Sequence, residues 1–318
     1  MPQPTREDVH VDSILTNISI AYLQAQEHFV ASQVFPVVPV SKQTDKYFSY
    51  TKEDWFRDEA QLRGDATESA GSGYNLTSVA YACDVFAFHK DVGDQTRANA
   101  DAPLDPDADA ARFVTQRLIV RQERQFAVDA FAINIWATDK TVTNKWSDYA
   151  SSDPIEDIEA GRETILGSTG FMPNTLLLGY KTWRQLKRHP DFRAQLNPTT
   201  RSNVTPAILG ELLEIERILV AKSIYNTSVE GNATQTMAQA LTTDAALLCF
   251  VNPQPSLLAP SAGYTFMWTG ISGGLGTTLA TSRIRNDLTK SDRIEGEEAF
   301  DHKIVATDLG YFFTDVVD

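Results

Sequence analysis

Apolar positions change their spacing several times along the chain. From residue 14 the run ILTNISIAYLQAQEHFVASQVFPVVPV is rich in apolar residues but keeps neither a helical nor a strand period. Pro36 and Pro39 favour an extended path there, so the run predicts an arm laid along a surface. The next two runs, KYFSYTK (46–52) and TSVAYACDVFAFH (77–89), read as strands. The second alternates with period two and puts Val79, Tyr81, Cys83 and Val85 on one face over a length of about 40 Å. Between them DWFRDEAQLRGDATESAGSGYN is polar, glycine-rich and longer than an ordinary connection, which predicts a long hairpin.

The period then becomes helical. Asp105 and Pro106 supply a cap and a first helical position, and no proline or glycine follows until after Ala137, which predicts a rod of roughly 45 Å. Phe113, Val120, Ala127, Phe131 and Ile135 mark one side, Val114, Leu118, Val128 and Ala132 widen the stripe, and Arg117, Arg121 and Arg124 lie at mid-length. From Asp153 and Pro154 helices alternate with strands: DPIEDIEAGRETIL, the strand NTLLLG, the helices YKTWRQLKRH and TPAILGELLE, and the strand RILVAKSIYN. The end is mostly β, with AALLCFVN, YTFMWT, TTLATSRIRND, HKIVAT and YFFTDVV. Mixed texture of this kind predicts an α+β chain with an α/β lobe.

Composition narrows the class. With 318 residues, 42% of them hydrophobic, the chain can bury one large core or two to three subdomain cores. No window has the roughly 18 apolar residues of a membrane helix, and the beginning lacks the pattern of a signal peptide, so a soluble chain made in the cytoplasm is expected. Cys83 and Cys249 are expected as buried, reduced thiols. A formal charge of −14 argues against tight binding to a phosphate backbone, and is compatible with surrounding nucleic acid.

Candidate chemistry is sparse. The stretch GISGG (270–274) matches G-x-S-x-G, and Asp292 and His302 follow Ser272 in triad order. A nucleophile elbow needs a helix directly after the serine, whereas TTLATSRIRND reads as a strand, so the glycines predict a turn between strands. No phosphate loop, no His or Cys metal spacing and no EF-hand pattern occurs, and neither a metal nor a cofactor is expected. What stands out is an arm and a hairpin whose apolar faces need covering. Tyr47, Phe48, Trp55 and Phe56, with Arg57 beside them, are candidate contacts between copies, packing within the hairpin being the alternative.

The order of elements resembles the major capsid proteins of tailed double-stranded-DNA bacteriophages. The stretches that carry the likeness are VDSILTNISIAYLQAQEHFVASQVFPVVPVSKQTDKYFSYTKEDWF, DPIEDIEAGRETILGSTGFMPNTLLLGYKTWRQLKRHPDF and RIRNDLTKSDRIEGEEAFDHKIVATDLGYFFTDVVD. The resemblance implies an N-terminal arm (1–45), an E-loop hairpin (46–90), a P-domain with a long spine helix from Asp107 to Ala137 (91–150), an A-domain (151–268) and returning P-domain strands (269–318). It implies a non-enzymatic subunit of hexamers and pentamers in an icosahedral shell around a genome, found in the virion and, during assembly, in the host cytoplasm. A separate scaffolding protein and a portal are implied partners, a decoration protein is allowed, and no cross-linking chemistry is carried over. Ion pairs between copies are expected from Arg283, Arg285 or Arg293 to Asp287, Asp292 or Glu297, solvated charges being an equal account. Two alternatives stay open, a nanocompartment shell holding protein cargo and a serine hydrolase using Ser272.

Overall fold

The computed structural model describes residues 23–100, 104–196, 204–255, 259–271 and 280–318. Strand pairing there gives two five-stranded sheets and two hairpins. The first sheet is organised by one long strand, β13 (Ser291–Ile304). One edge of β13 carries β4 (Asp84–Gly93), in register from Ser291 opposite Gly93 to Phe300 opposite Asp84. The other edge is shared in succession by β12 (Ala280–Asn286) and β11 (Gly263–Trp268), and β1 (Val37–Val40) adds in parallel to β11. The second sheet runs β5 (Thr138–Thr141), β14 (Gly310–Thr314), β10 (Ala246–Cys249), β6 (Thr175–Leu178), β7 (Arg217–Val220). The hairpins are β2 (Thr44–Tyr50) with β3 (Leu76–Ala82), and β8 (Ile224–Asn226) with β9 (Met237–Gln239).

The predicted strand 77–89 is two strands with different partners. It breaks at Cys83, 1% exposed, whose amide donates to Gln43 O at 2.9 Å while its thiol faces Phe266 O. On one side of the break β3 pairs with β2, and on the other β4 pairs with β13. Alternation alone carries no information about which neighbour a strand takes, so the change was invisible in sequence. The root of the hairpin is anchored where Tyr81 and Tyr47 stack on Phe266, with centroids 4.6 and 5.7 Å away.

Helices follow their caps closely. The described ones are α1 (Ala31–Val34), α2 (Lys52–Trp55), α3 (Asp94–Ala98), α4 (Pro106–Asp129), α5 (Pro154–Thr169), α6 (Tyr180–Leu186), α7 (Pro190–Gln195) and α8 (Pro206–Leu213). Asp105 and Asp153 each accept two backbone amides at the starts of α4 and α5. The long helix α4 stops at Asp129, a correction to the predicted end at Ala137. Its last turn is closed by the Trp136 indole, which reaches back to Ala130 O at 2.8 Å. Phe131 and Trp136 are buried in the turns that follow, so packing ends the helix where no breaker residue does.

The main core lies in the second sheet. Every residue of β6 and β10 is buried, and α5 lies so close that a Cβ on Gly161 would meet Phe313, Leu248 and Tyr311 at 3.2 to 3.4 Å. The expected arm joins this core from Phe29 onward: Val30, Ala31, Val34 and Phe35 are buried in it. Both cysteines are free and buried, and burial pushes the Cys83 thiol up to about 11 and the Cys249 thiol up to about 12. The acidic run EGEE is part of the central strand β13.

Candidate contact surfaces between subunits

Among the described residues the hairpin gathers the largest group of exposed large apolar side chains. Beyond β2 and β3 the chain turns out into residues 51–75, where Trp55 is 54%, Phe56 63%, Tyr74 63% and Leu62 fully exposed. Tyr50, Trp55 and Tyr74 touch one another, with ring centroids 5.7 to 5.9 Å apart, so the loop's aromatics cluster and keep their outer faces in solvent. Phe48 is likewise 60% exposed. Tyr47 instead belongs to its own subunit through Phe266. Arg57 is held locally by Asp54 and Glu59 at 3.5 and 3.6 Å. Lys52 pairs with Asp308, which ties the far end of β2 to the strand-rich end of the chain.

The charged residues of β12 and β13 meet partners within their own subunit. Asp292, 7% exposed at its side chain, receives Arg283 Nε at 2.8 Å, Arg97 Nη2 at 3.0 Å and Arg285 Nη1 at 3.1 Å. Hydrogen bonds from Arg283 and then Arg285 hold the Asp292 carboxyl down to about 2. Arg285 also clasps both oxygens of Asp94 at 2.6 and 2.7 Å and reaches Asp287 at 3.3 Å, while Arg97 bridges to Asp107 at the start of α4. Arg293 holds Asp91 across the β13–β4 ladder at 2.9 Å. Glu297 is half-buried and makes no ion pair among the described residues. The network thus fastens α3, α4, β4, β12 and β13 together.

Catalytic constellations fare differently. Ser272 lies outside the described residues. Asp292 and His302 sit on one strand ten residues apart, about 33 Å at strand rise, and cannot form the Asp–His pair of a triad. His302 is occupied by Thr265 Oγ1 at 2.9 Å and Gln122 O at 3.3 Å. A serine, histidine and aspartate do converge elsewhere: Ser152 Oγ is 3.0 Å from His189 Nε2, and His189 Nδ1 is 3.4 Å from Asp191 Oδ2. Their protons run the wrong way for catalysis. Ser152 donates to Asp148 O at 2.6 Å, and His189 Nδ1 accepts the Asp191 amide at 3.4 Å, which assigns the ring proton to Nε2. Burial lowers the His189 pKa, and the group works as the cap of α7. A groove of about 440 Å³ beside β13 is lined by Asp84, Gln125, Asp129, Asp301 and others, none of them Ser, Thr or Cys. Among the described residues no three His, Cys, Asp or Glu side chains gather as metal ligands, and no helix is long and apolar enough to cross a membrane.

Sequence reasoning missed two buried carboxylates. Glu123 is fully buried in α4 and accepts the amides of Val30 and Ala31 at 2.9 to 3.0 Å together with the Ser223 hydroxyl at 2.9 Å. Burial raises its pKa against those hydrogen bonds. It stands in the buried stripe Ala110, Val114, Leu118, Glu123, Phe126, and an acid on an apolar helix face was the available signal. Glu298, 3% exposed on β13, has its carboxyl pushed up to about 8 by burial, with Arg121 opposing. Nothing in EGEE marks it, because only the sheet decides which residue of that run faces inward.

Comparison with known proteins matches this architecture. The family model described as phage major capsid protein E matches residues 125–259. The major capsid protein of Burkholderia phage BcepMu is 29% identical over 221 residues, 68% of this chain and 70% of that protein. That of Pseudomonas phage JBD67 is 27% identical over 96% of this chain and 97% of that protein. Among solved structures, a phage-related protein of Bordetella bronchiseptica superposes with a TM-score of 0.68 at 21% identity, over 92% of this chain and 93% of that one. An encapsulin complex of Synechococcus elongatus does so with a TM-score of 0.55 at 12% identity, over 97% and 96%, a likeness of fold. The sequence relatives are major capsid proteins of phages, and the solved structures share the fold: the chain is similar to phage major capsid proteins over nearly its whole length, which supports a structural role in a capsid shell.

Proposed function

We propose that the chain assembles as hexamers and pentamers into an icosahedral shell that encloses a double-stranded-DNA phage genome. The observation that carries this reading is the loop 51–75, whose exposed Trp55, Phe56, Leu62 and Tyr74 exceed what one subunit covers. An arm (1–45), E-loop (46–90), peripheral domain (91–150 and 269–318) and axial domain (151–268) are its working divisions. Phe48, Trp55 and Phe56 are the contacts to a neighbour. Arg283, Arg285 and Arg293 with Asp287 and Asp292 stiffen the subunit, and the exposed faces of the arginines and Asp287, with Glu297, meet adjoining copies at the rim.

Catalysis plays no part in this role. Many weak repeated contacts close the shell, and a net charge of −14 lets it surround DNA without gripping it. A separate scaffolding protein and a portal are the partners such a shell calls for, a decoration protein is an optional addition, and assembly takes place in the host cytoplasm. The encapsulin likeness supports a second reading, a shell around protein cargo. Electron microscopy of the purified protein, with analysis of the shell contents, tests both. Shells with DNA after infection support the proposal, shells filled by one enzyme support the second reading, and monomers under all assembly conditions overturn both. Replacing residues 56–74 by a short glycine-serine linker is expected to leave folded subunits that do not close shells.

A further inference from the structure

The axial lobe carries two charge stripes of opposite sign, most of whose members form no ion pair within their own subunit. Residues 180–196 hold five cations, Lys181, Arg184, Lys187, Arg188 and Arg193, against the single carboxylate Asp191. On α6 the side toward the core is Thr182, Trp183 and Leu186, all buried, while Lys181, Arg184 and Arg188 are exposed. These three recur at i, i+3 and i+7, because Lys187 keeps right-handed helical angles beyond the end of α6. None of the three forms a salt bridge among the described residues, and Lys181 acts only at longer range, where it helps to lower the Asp318 carboxyl. In a chain of net charge −14, such a basic stripe runs against the general sign.

The complement lies on the same lobe. Residues 153–163 hold five carboxylates, Asp153, Glu156, Asp157, Glu159 and Glu163, against the single cation Arg162. Arg162 is turned inward, buried, with Nη1 on Glu159 at 2.6 Å. On α5 the exposed carboxylates Glu156 and Glu163, with Glu159 between them, again recur at i, i+3 and i+7. Glu156 and Glu163 form no ion pair among the described residues. Each stripe is about 10 Å long at helical rise, so the two match in sign, spacing and length.

We propose that the basic stripe Lys181, Arg184 and Arg188 of one copy docks on the acidic stripe Glu156, Glu159 and Glu163 of the next copy around the capsomer. A contact between two different patches of like chains is head-to-tail, and it closes into a ring when the rotation between copies allows. Opposite charge across it steers encounter and fixes register. A nucleic acid would also suit the basic stripe, but it would leave the acidic one unmatched, whereas a second copy satisfies both at once. The inference rests on the capsid-shell reading and adds the partner surface within the axial lobe.

The test is a charge swap in the full chain, read by sedimentation and negative-stain microscopy. The wild-type chain must first form shells, which tests the shell reading separately. Lys181→Glu with Arg188→Glu, and separately Glu156→Lys with Glu163→Lys, are each expected to cut the yield of capsomers and shells by about tenfold. The four substitutions together are expected to restore it to within about twofold of wild type, since the ion pairs re-form with their signs exchanged. Either double variant assembling like wild type overturns the proposal, and so does a failure of the fourfold variant to recover. Normal shells that package less DNA overturn it in favour of a genome contact. If circular dichroism shows a double variant unfolded, Lys181→Gln with Arg188→Gln decides: the proposal requires a lower shell yield than wild type at low salt and a smaller difference at 1 M salt, and equal yields overturn it.

Discussion

The lobe around β6 and β10 and the hairpin of β2 with β3 treat apolar surface in opposite ways. In the lobe, Leu176, Leu177, Leu178, Leu247, Leu248 and Phe313 are essentially without solvent contact, covered by α5 and by neighbouring strands of the same chain. In the hairpin, only the root is covered, where Tyr81 and Tyr47 meet Phe266. Farther out Phe48, Trp55, Phe56 and Tyr74 remain more than half exposed. One region folds for itself and the other folds for its neighbours. Stability should therefore be read in the first and assembly in the second.

Truncation in the lobe gives the largest loss of stability. Leu177→Ala is expected to cost about 2 to 5 kcal/mol in urea unfolding, because a fully buried side chain leaves a cavity that close-packed neighbours do not fill. Glu123→Ala comes next, at about 1 to 3 kcal/mol, since the amides of Val30 and Ala31 and the Ser223 hydroxyl lose their acceptor. Hydrogen exchange should then show residues 29–35 opening before the second sheet does.

Two buried groups on β13 give effects that depend on pH. Glu298, pushed up to about 8 from 4.5, keeps its proton in the folded chain where the unfolded chain has lost it, so its contribution falls as pH rises through that window. His302, held down to about 4 from 6.5 by burial, works the other way: its contribution is complete above 6.5 and is lost as pH falls toward 4. Glu298→Gln should raise the melting temperature relative to wild type at pH 8 and make little difference at pH 5. The acid-side decline should become shallower in His302→Gln.

The smallest effect on stability belongs to the hairpin. Trp55→Ser with Phe56→Ser should change the unfolding free energy by less than about 0.5 kcal/mol per site, the usual range for surface positions. The same variant should lose most of its shells by electron microscopy. A large loss of stability with normal shells would erase the distinction between the two regions.

Local chemistry made much of this legible. Asp105 with Pro106, Asp153 with Pro154 and Thr205 with Pro206 each mark a helix start that the structure keeps, since capping needs only residues near in sequence. The hairpin and its exposed aromatics were legible for the same reason, from two strand-like runs around a polar stretch. The arginines of the end segment were legible as ion-pair formers. Their partners Asp91, Asp94 and Asp107 were not, because they lie roughly 180 to 200 residues away and arrive through the β13 ladder. The apparent triad of Asp292 and His302 dissolved because both fall on one extended strand.

By itself the sequence determined the caps, the alternation, the acidic balance and the order of elements, all of which depend on neighbours along the chain. Tertiary structure alone decided that α4 ends at Asp129 under Trp136, that the strand through Cys83 changes partners, and that Glu123 and Glu298 are buried. Each of those depends on what packs against a residue from far away, and burial of a polar group is a property of that packing and not of its place in the chain.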